Sequence, residues 1–210
     1  MEKQTKCKLV LLRHGESEGN RDHCFCGIRD DALTTNGEAQ ALNAGKALIG
    51  INFGIAFTSK LRRAKNTLEI ILNTIESTIP IISLEGLNER NYGILQGMAR
   101  KDAIEKFGRD NVELWKTSYS IGPKNGENLT DIYNRVRNTF KINILPELTI
   151  HDNVIVVCHN GSLRALMRHI ENLDPSYINK ISIENGMPII YEFDHIKNTF
   201  TRLGEIPKVM

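Results

Sequence analysis

Several signals are missing from this chain, and each absence removes a class of protein. Its longest apolar runs are only a few residues, against the roughly 20 needed to cross a bilayer, so no membrane span is expected. Basic and acidic residues nearly cancel, 27 Lys and Arg against 25 Asp and Glu, and no Lys/Arg block of the kind that follows a nucleic-acid backbone or an anionic membrane occurs. Any anion bound here must therefore meet a local cluster of cations. Met1 to Lys6 leads into the first apolar segment without a secretory hydrophobic region, which makes the cytoplasm the expected location. There are only four cysteines, and Cys24 and Cys26 are closer together than a usual zinc-binding pair, with no matching second pair. Free thiols and no metal site are the expectation. No internal repeat or low-complexity linker interrupts the sequence.

What is present fits one globular unit. With 210 residues, 40% hydrophobic and 25% charged, the chain is long enough for one substantial core and short for two. Short apolar runs alternate with amphipathic helical stretches, which predicts an α/β fold: three αβα layers around a mostly parallel central sheet, over a single domain spanning 1–210. Leu9-Val10-Leu11-Leu12 reads as a buried strand, followed by an irregular Gly- and Asp-rich loop to about Asp31. Thr35-Asn36-Gly37-Glu38 has a capping-box pattern opening a helix to about Ile49. Ile55-Ala56-Phe57 is a second strand, and Leu61, Ala64, Leu68, Ile71, Leu72 and Ile75 recur at helical period. A third strand is expected at 79–84, helical pieces around Gly108, and a helix carrying Ile132, Val136, Phe140 and Ile144. Val154 to Cys158 is the clearest strand, with a helix after Gly161. Asp174-Pro175 opens a short helix, and 189–193 and 200–203 are the last strands.

The chemistry gathers where the apolar runs stop. Arg13-His14-Gly15 follows the first strand, Arg62-Arg63 the second, and His159-Asn160-Gly161 the strand at 154–158. In open α/β sheets the carboxyl ends of strands face the ligand crevice. Each residue alone is more often structural than catalytic; together they describe a phosphoryl-transfer site. A neutral imidazole is a nucleophile near pH 7. Arginine forks and a protonated second histidine would stabilise charge on the transferring group, and a carboxyl group such as Glu89 could donate and recover a proton.

The strings that carry these residues are Leu12 to Ser17, Thr58 to Ala64, Leu87 to Gly93, Gly161 to Leu166 and Gly186 to Asp194. They resemble the histidine phosphatase superfamily, specifically its cofactor-dependent phosphoglycerate mutase branch in a short form. The resemblance implies the fold of that branch. It also implies interconversion of 3-phosphoglycerate and 2-phosphoglycerate through a phosphohistidine, a glycolytic and gluconeogenic reaction. It makes His14 the nucleophile and Glu89 the proton donor and acceptor, with Arg13, Arg63 and His159 clamping the phosphoryl group and Asn20 assisting. Tyr92, Arg100, Lys116 and Thr117 would meet the substrate, and Cys26, Gly27, Asn160 and Gly161 would contact ligand oxygens. 2,3-Bisphosphoglycerate would prime the histidine without a metal, and the partner would be a small phosphorylated substrate, with no nucleic acid or membrane; a homodimer is open.

The substrate side departs from that pattern. Lys116-Thr117 follows Trp115 where mutases usually have an arginine pair, Arg100 stands for a lysine, and Ile28-Arg29 replaces Trp-Tyr, so that Arg29 is a candidate new cation. The order His159-Asn160-Gly161-Ser162 is closer to phosphatase relatives. A phosphomonoesterase acting on a small phosphorylated metabolite is therefore the alternative, and a catalytically silent phosphate-binding module is an alternative of another class.

Overall fold

A computed structural model of the protein describes residues 5–151, 153–179 and 181–204. Six strands form one sheet: β1 (Lys6–Arg13), β2 (Ile55–Thr58), β3 (Ile81–Ser83), β4 (Asn153–Cys158), β5 (Pro188–Asp194) and β6 (Thr199–Leu203), in the order β3-β2-β4-β1-β5-β6. β3, β2, β4 and β1 pair in parallel, whereas β5 runs antiparallel to both β1 and β6. The expected α/β fold with a mostly parallel sheet is thus the observed one.

Alternation along the buried strands divides the core into two layers. Leu9 and Leu11 of β1 and Val154, Val156 and Cys158 of β4 pack on one face with Ile132, Val136, Leu163 and Leu166. Val10 and Leu12, with Ile155 and Val157, pack on the other with Ala44, Leu48, Leu68 and Ile71. The first face is covered by α6 (Leu129–Thr139) and α7 (Asn160–Glu171), the second by α2 (Thr35–Ala47) and α3 (Arg62–Thr74). A third cluster, Phe25, Leu95, Ala103 and Val112, joins the 20s loop to α4 (Arg100–Phe107) and α5 (Arg109–Thr117), the two helical pieces expected around Gly108.

Boundaries moved where side chains compete with the backbone. The loop after β1 contains a short helix, α1 (Glu18–Arg21), whose start is held by Asn20 Oδ1 accepting from the Ser17 amide at 3.2 Å. Helix α2 is capped by Thr34, one residue earlier than the expected box, through its hydroxyl and the Gly37 amide. The third strand is shorter than expected. The helix carrying Ile132 and Val136 leaves α geometry at Thr139 and continues as a π-turn, Phe140–Ile144, ahead of Pro146. The short helix after Asp174 is α8 (Pro175–Ile178).

The turn that carries His14 depends on two glycines. A Cβ on Gly15 would overlap the carbonyl of Gly37, and one on Gly37 would overlap the carbonyl of Glu16. Backbone therefore lies directly on backbone between the end of β1 and the first turn of α2. Gly37→Ala should destabilise the protein by about 3 kcal/mol, at the upper end of ordinary single substitutions. Gly50→Ala, facing open space at φ +88°, should cost only about 1 kcal/mol for its left-handed backbone. Urea denaturation of both variants checks the difference; equal losses would mean that the contact at Gly37 relaxes freely.

Candidate active site

Register brings the two strand-end histidines together. Leu12 pairs with Val157 and Arg13 with Cys158, and the His14 amide donates to the Cys158 carbonyl at 3.0 Å, so His14 and His159 follow side by side. Their ring centroids are 5.0 Å apart, and both side chains are buried. Strand parity continues past the strand ends: His14 lies toward α3, while Arg13 faces the α7 side.

Hydrogen bonds fix the state of His14. Its Nδ1 lies 2.6 Å from the Gly15 carbonyl, which can only accept, so Nδ1 carries the proton. Arg63 Nε donates to His14 Nε2 at 3.2 Å, so Nε2 offers a lone pair. Burial, then the charges of Arg63 and Arg13, holds the imidazole well below its usual pKa. His14 is a neutral imidazole with Nε2 unprotonated. Arg63 is almost fully buried; its other guanidinium nitrogens donate to the carbonyls of Arg29 at 2.5 Å and Gly27 at 2.8 Å.

His159 differs from the expected imidazolium. Burial, Arg63, His14 and Arg13 all push its pKa down, because a cation there would be desolvated among cations. Its Nε2 lies 2.8 Å from Ser59 Oγ, and Ser59 Oγ already accepts from the Leu61 amide at 3.2 Å. The hydroxyl has no other acceptor for its proton among the described residues, so it donates to Nε2, which leaves the ring proton on Nδ1. That Nδ1 is buried without a partner, as is Arg13 Nε. Two buried donors lacking acceptors beside Arg63 suit an anionic oxygen.

Glu89 is held by α7. Its Oε1 and Oε2 accept from the Gly161 amide at 3.1 and 3.2 Å, and Oε1 also accepts from Arg90 at 2.8 Å. A Cβ at Gly161 would overlap Glu89 Oε1, so a side chain there would displace the carboxylate from this position. The Gly161 amide, expected to meet a ligand oxygen, donates to this carboxylate here. Asn20 Oδ1 accepts from Ser17, and Asn185 Nδ2 donates to the His14 carbonyl at 2.7 Å. Burial pushes the Cys26 thiol up to about 11, so it stays a thiol, and Gly27, at φ +51°, offers its carbonyl to Arg63.

From Arg13 a cavity of about 420 Å³ opens outward, flanked by Asn160, Gly161, Tyr92, Arg100, Lys116 and Thr117. His14, Arg63, Glu89, His159, Asn20, Cys26 and Gly27 lie outside its wall. Sequence reasoning missed Arg90, Arg164, Arg168, Tyr119 and Tyr133, which also line it; Arg164 and Arg168 follow Gly161 at helical spacing, which is the signal that was available. Arg29 does not supply the expected cation there: it pairs with Asp31 at 2.5 Å and is outside the cavity. The 122–126 loop is docked on the 91–94 segment, with the Ile94 amide donating to Lys124 O and the Glu127 amide to Asn91 O. Among the described residues, no group of three or more His, Cys, Asp or Glu is arranged to hold a metal ion, and no helix is long and apolar enough to cross a membrane.

The family model described as histidine phosphatase superfamily (branch 1) matches residues 9–206. The chain belongs to this superfamily. A histidine phosphatase relative from Cytophaga hutchinsonii, named 2,3-bisphosphoglycerate-dependent phosphoglycerate mutase, is 46% identical over 95% of both chains. The protein named phosphoglycerate mutase from Schizosaccharomyces pombe is 43% identical over 89% of this chain and 90% of its own. Among solved structures, Bacillus stearothermophilus YhfR superposes with TM-score 0.84 at 26% identity, covering 95% of this chain and 96% of its own. The phosphoglycerate mutase from Bacillus anthracis str. Sterne shares the fold at TM-score 0.80 and 24% identity, covering 96% and 93%.

The depressed histidines make stability depend on pH. Unfolded imidazoles take up a proton near pH 6.5, whereas His14 and His159 stay neutral well below that in the folded chain. The unfolded state binds more protons in that window, so stability is fully present above about pH 6.5 and falls on acidification. Each histidine can contribute a slope of up to about 1.4 kcal/mol per pH unit. Urea midpoints between pH 5 and 7 should fall with acidification, and replacing both histidines by Gln should flatten the profile; an equally steep double variant would place the titrating groups elsewhere.

Proposed function

We propose that the protein is a 2,3-bisphosphoglycerate-dependent phosphoglycerate mutase that interconverts 3- and 2-phosphoglycerate through a phosphohistidine at His14. The observation that carries this reading is a buried His14 whose Nε2 is unprotonated, together with a carboxyl group, Glu89, held by the amide of Gly161, which itself lines a cavity rich in cations. The 46% identical relative of the same name supports the choice of reaction. The protein needs a metal for none of the steps below.

His14 Nε2 attacks phosphorus as the bond to the substrate oxygen breaks, and Glu89, protonated, delivers its proton to that leaving oxygen. Arg63 Nε, which donates to His14 Nε2 at 3.2 Å, turns to a phosphoryl oxygen as His14 attacks. Arg13 Nε and His159 Nδ1–H gain the acceptors that they lack, so the clamp is strongest when the transferring group carries most charge. In the return step the hydroxyl of the glycerate attacks phosphorus, Glu89 takes its proton, and the bond to His14 breaks. Asn20, Cys26, Gly27 and Asn160 frame the phosphoryl end, and Tyr92, Arg100, Lys116 and Thr117 the glycerate end. The primer, 2,3-bisphosphoglycerate, supplies the first phosphoryl group; orphaned donors beside His14 and a wall without carboxylates fit its several negative charges. A cytoplasmic enzyme acting on small phosphorylated molecules, without nucleic acid or membrane and with a homodimer allowed, completes the reading.

Assay of 3-phosphoglycerate turnover with and without primer tests the proposal: 2-phosphoglycerate should form, and release of phosphate alone would establish the phosphomonoesterase instead. That second reading is favoured by Lys116, whose ammonium is held 3.0 Å from both Glu113 oxygens, and by Thr117, whose hydroxyl is committed to the Glu113 carbonyl at 2.8 Å. His14→Ala should lose at least about 10³-fold in turnover and all acid-labile phosphoprotein, with its fold kept; Glu89→Gln should lose about 10²- to 10⁴-fold. Thr117→Arg should lower the Michaelis constant for 3-phosphoglycerate without raising kcat. An unchanged constant would mean that position 117 does not meet the carboxylate.

A further inference from the structure

The cavity wall holds more positive charge than its framework uses. Arg13, Arg90, Arg100, Lys116, Arg164 and Arg168 line it, and no Asp or Glu among the described residues does. Most of these cations are already committed. Arg90 donates to the carbonyls of Glu127, Lys116 and Trp115, and Arg164 donates twice to the carbonyl of Ile181. Arg13 Nη1 is bound to the Ile183 carbonyl, and Lys116 is neutralised by Glu113. Arg100 and Arg168 are left with no hydrogen bond or ion pair from their guanidinium groups to any described residue.

Of these two, Arg168 is the one held in place. Its guanidinium carbon lies 3.9 Å from the centroid of the Tyr133 ring and 5.5 Å from that of Tyr119. Contact with the two rings holds the guanidinium in place, and its N–H groups have no hydrogen-bond partner among the described residues. Asp174 senses the charge, but its carboxylate is capped by the amide and hydroxyl of Ser176 and forms no ion pair with Arg168. Seven residues of α7 separate Arg168 from Gly161, about 10 Å along the axis, and a helical side chain leans back toward the N-terminus. The fork therefore lines the same cavity as Gly161, whose amide holds Glu89.

We propose that Arg168, presented by Tyr133 and Tyr119, is a specificity-determining residue that binds the anionic tail of the substrate, taking with Arg100 the role that Lys116 and Thr117 cannot fill. The identity of that tail as a carboxylate rests on the phosphoglycerate reading. Titration calorimetry compares 3-phosphoglycerate with glycerol 3-phosphate, which keeps the phosphoryl group and replaces the carboxylate by CH₂OH. The wild-type protein should prefer 3-phosphoglycerate, and Arg168→Met should shrink that preference roughly 10- to 100-fold, the value of a charge-assisted hydrogen bond. Arg168→Gln reads the same ratio should the methionine variant fold poorly. A preference that survives in both variants, or an equal loss for both ligands, overturns the proposal. If the wild-type protein shows no mutase turnover while the preference still collapses in the variants, the function proposed above fails and the anion site stands.

Discussion

The site depends on the parallel pairing of β1 with β4. One residue of slip would send His14 and His159 to different levels of the crevice and would exchange the two faces of each strand, exposing Leu9 and Leu11 to the wrong layer. The register is secured by packing on both sides of the sheet, where β1 and β4 present buried apolar side chains to two separate helical layers. Removing one such side chain, for instance Leu11, would cost about 2–5 kcal/mol, more than any single polar contact at the site contributes. The hydrophobic core thus sets the distance between the two imidazoles, and the hydrogen bonds only trim their orientation. Parity then separates the tasks: consecutive residues Arg13 and His14 point to opposite faces, so one opens onto the cavity while the other meets Arg63 on α3.

Around that pair the protein keeps positive charge in a place where it is costly. Burial lowers the pKa of Arg13 and of Arg63, and neither has a carboxylate within ion-pair distance among the described residues. Backbone carbonyls of Gly27, Arg29 and Ile183 take up part of the penalty. The remainder stays with Arg13 Nε and His159 Nδ1, buried nitrogens without a partner among the described residues, so their orientation is set by the framework before any anion arrives. Donors held in this way do not have to reorient when an anion binds.

Much of this was legible in the sequence because the residues concerned sit at breaks in strong local patterns. Leu9 to Leu12 and Val154 to Cys158 are unmistakable buried strands, so His14 and His159 could be placed at strand ends, and Arg63 fell on the first turn of a helix with a clear apolar stripe. Contacts made through backbone were not legible. Nothing in the string Asn160-Gly161 says that its amide holds Glu89, and Arg29 looks like an added cation until Asp31 is seen beside it. Helix α1 was hidden because four residues carry no period, and the π-turn at Phe140–Ile144 keeps its apolar spacing while changing its hydrogen bonds. The α7 wall of the cavity was hidden for a related reason: Arg164 and Arg168 look like the polar face of an ordinary amphipathic helix, and the contact of Arg168 with Tyr119 and Tyr133 is not visible in the spacing.

The second histidine is where composition and structure lead to different chemistry. A histidine beside a phosphoryl site is naturally read as an imidazolium, since a positive charge would attract the transferring group. Here Arg13 and Arg63 already supply that charge, and a third cation would meet both of them and His14 in a desolvated pocket. Ser59 resolves the conflict by local bonding. Because Nε2 is the one acceptor within reach of its hydroxyl proton among the described residues, Ser59 gives that proton to Nε2, and the neutral ring then carries its own proton on Nδ1. His159 serves as a donor without being a cation. Its role is tied to a serine one residue beyond β2, so the tautomer, like the distance between the histidines, is set by which strands lie next to one another in the sheet.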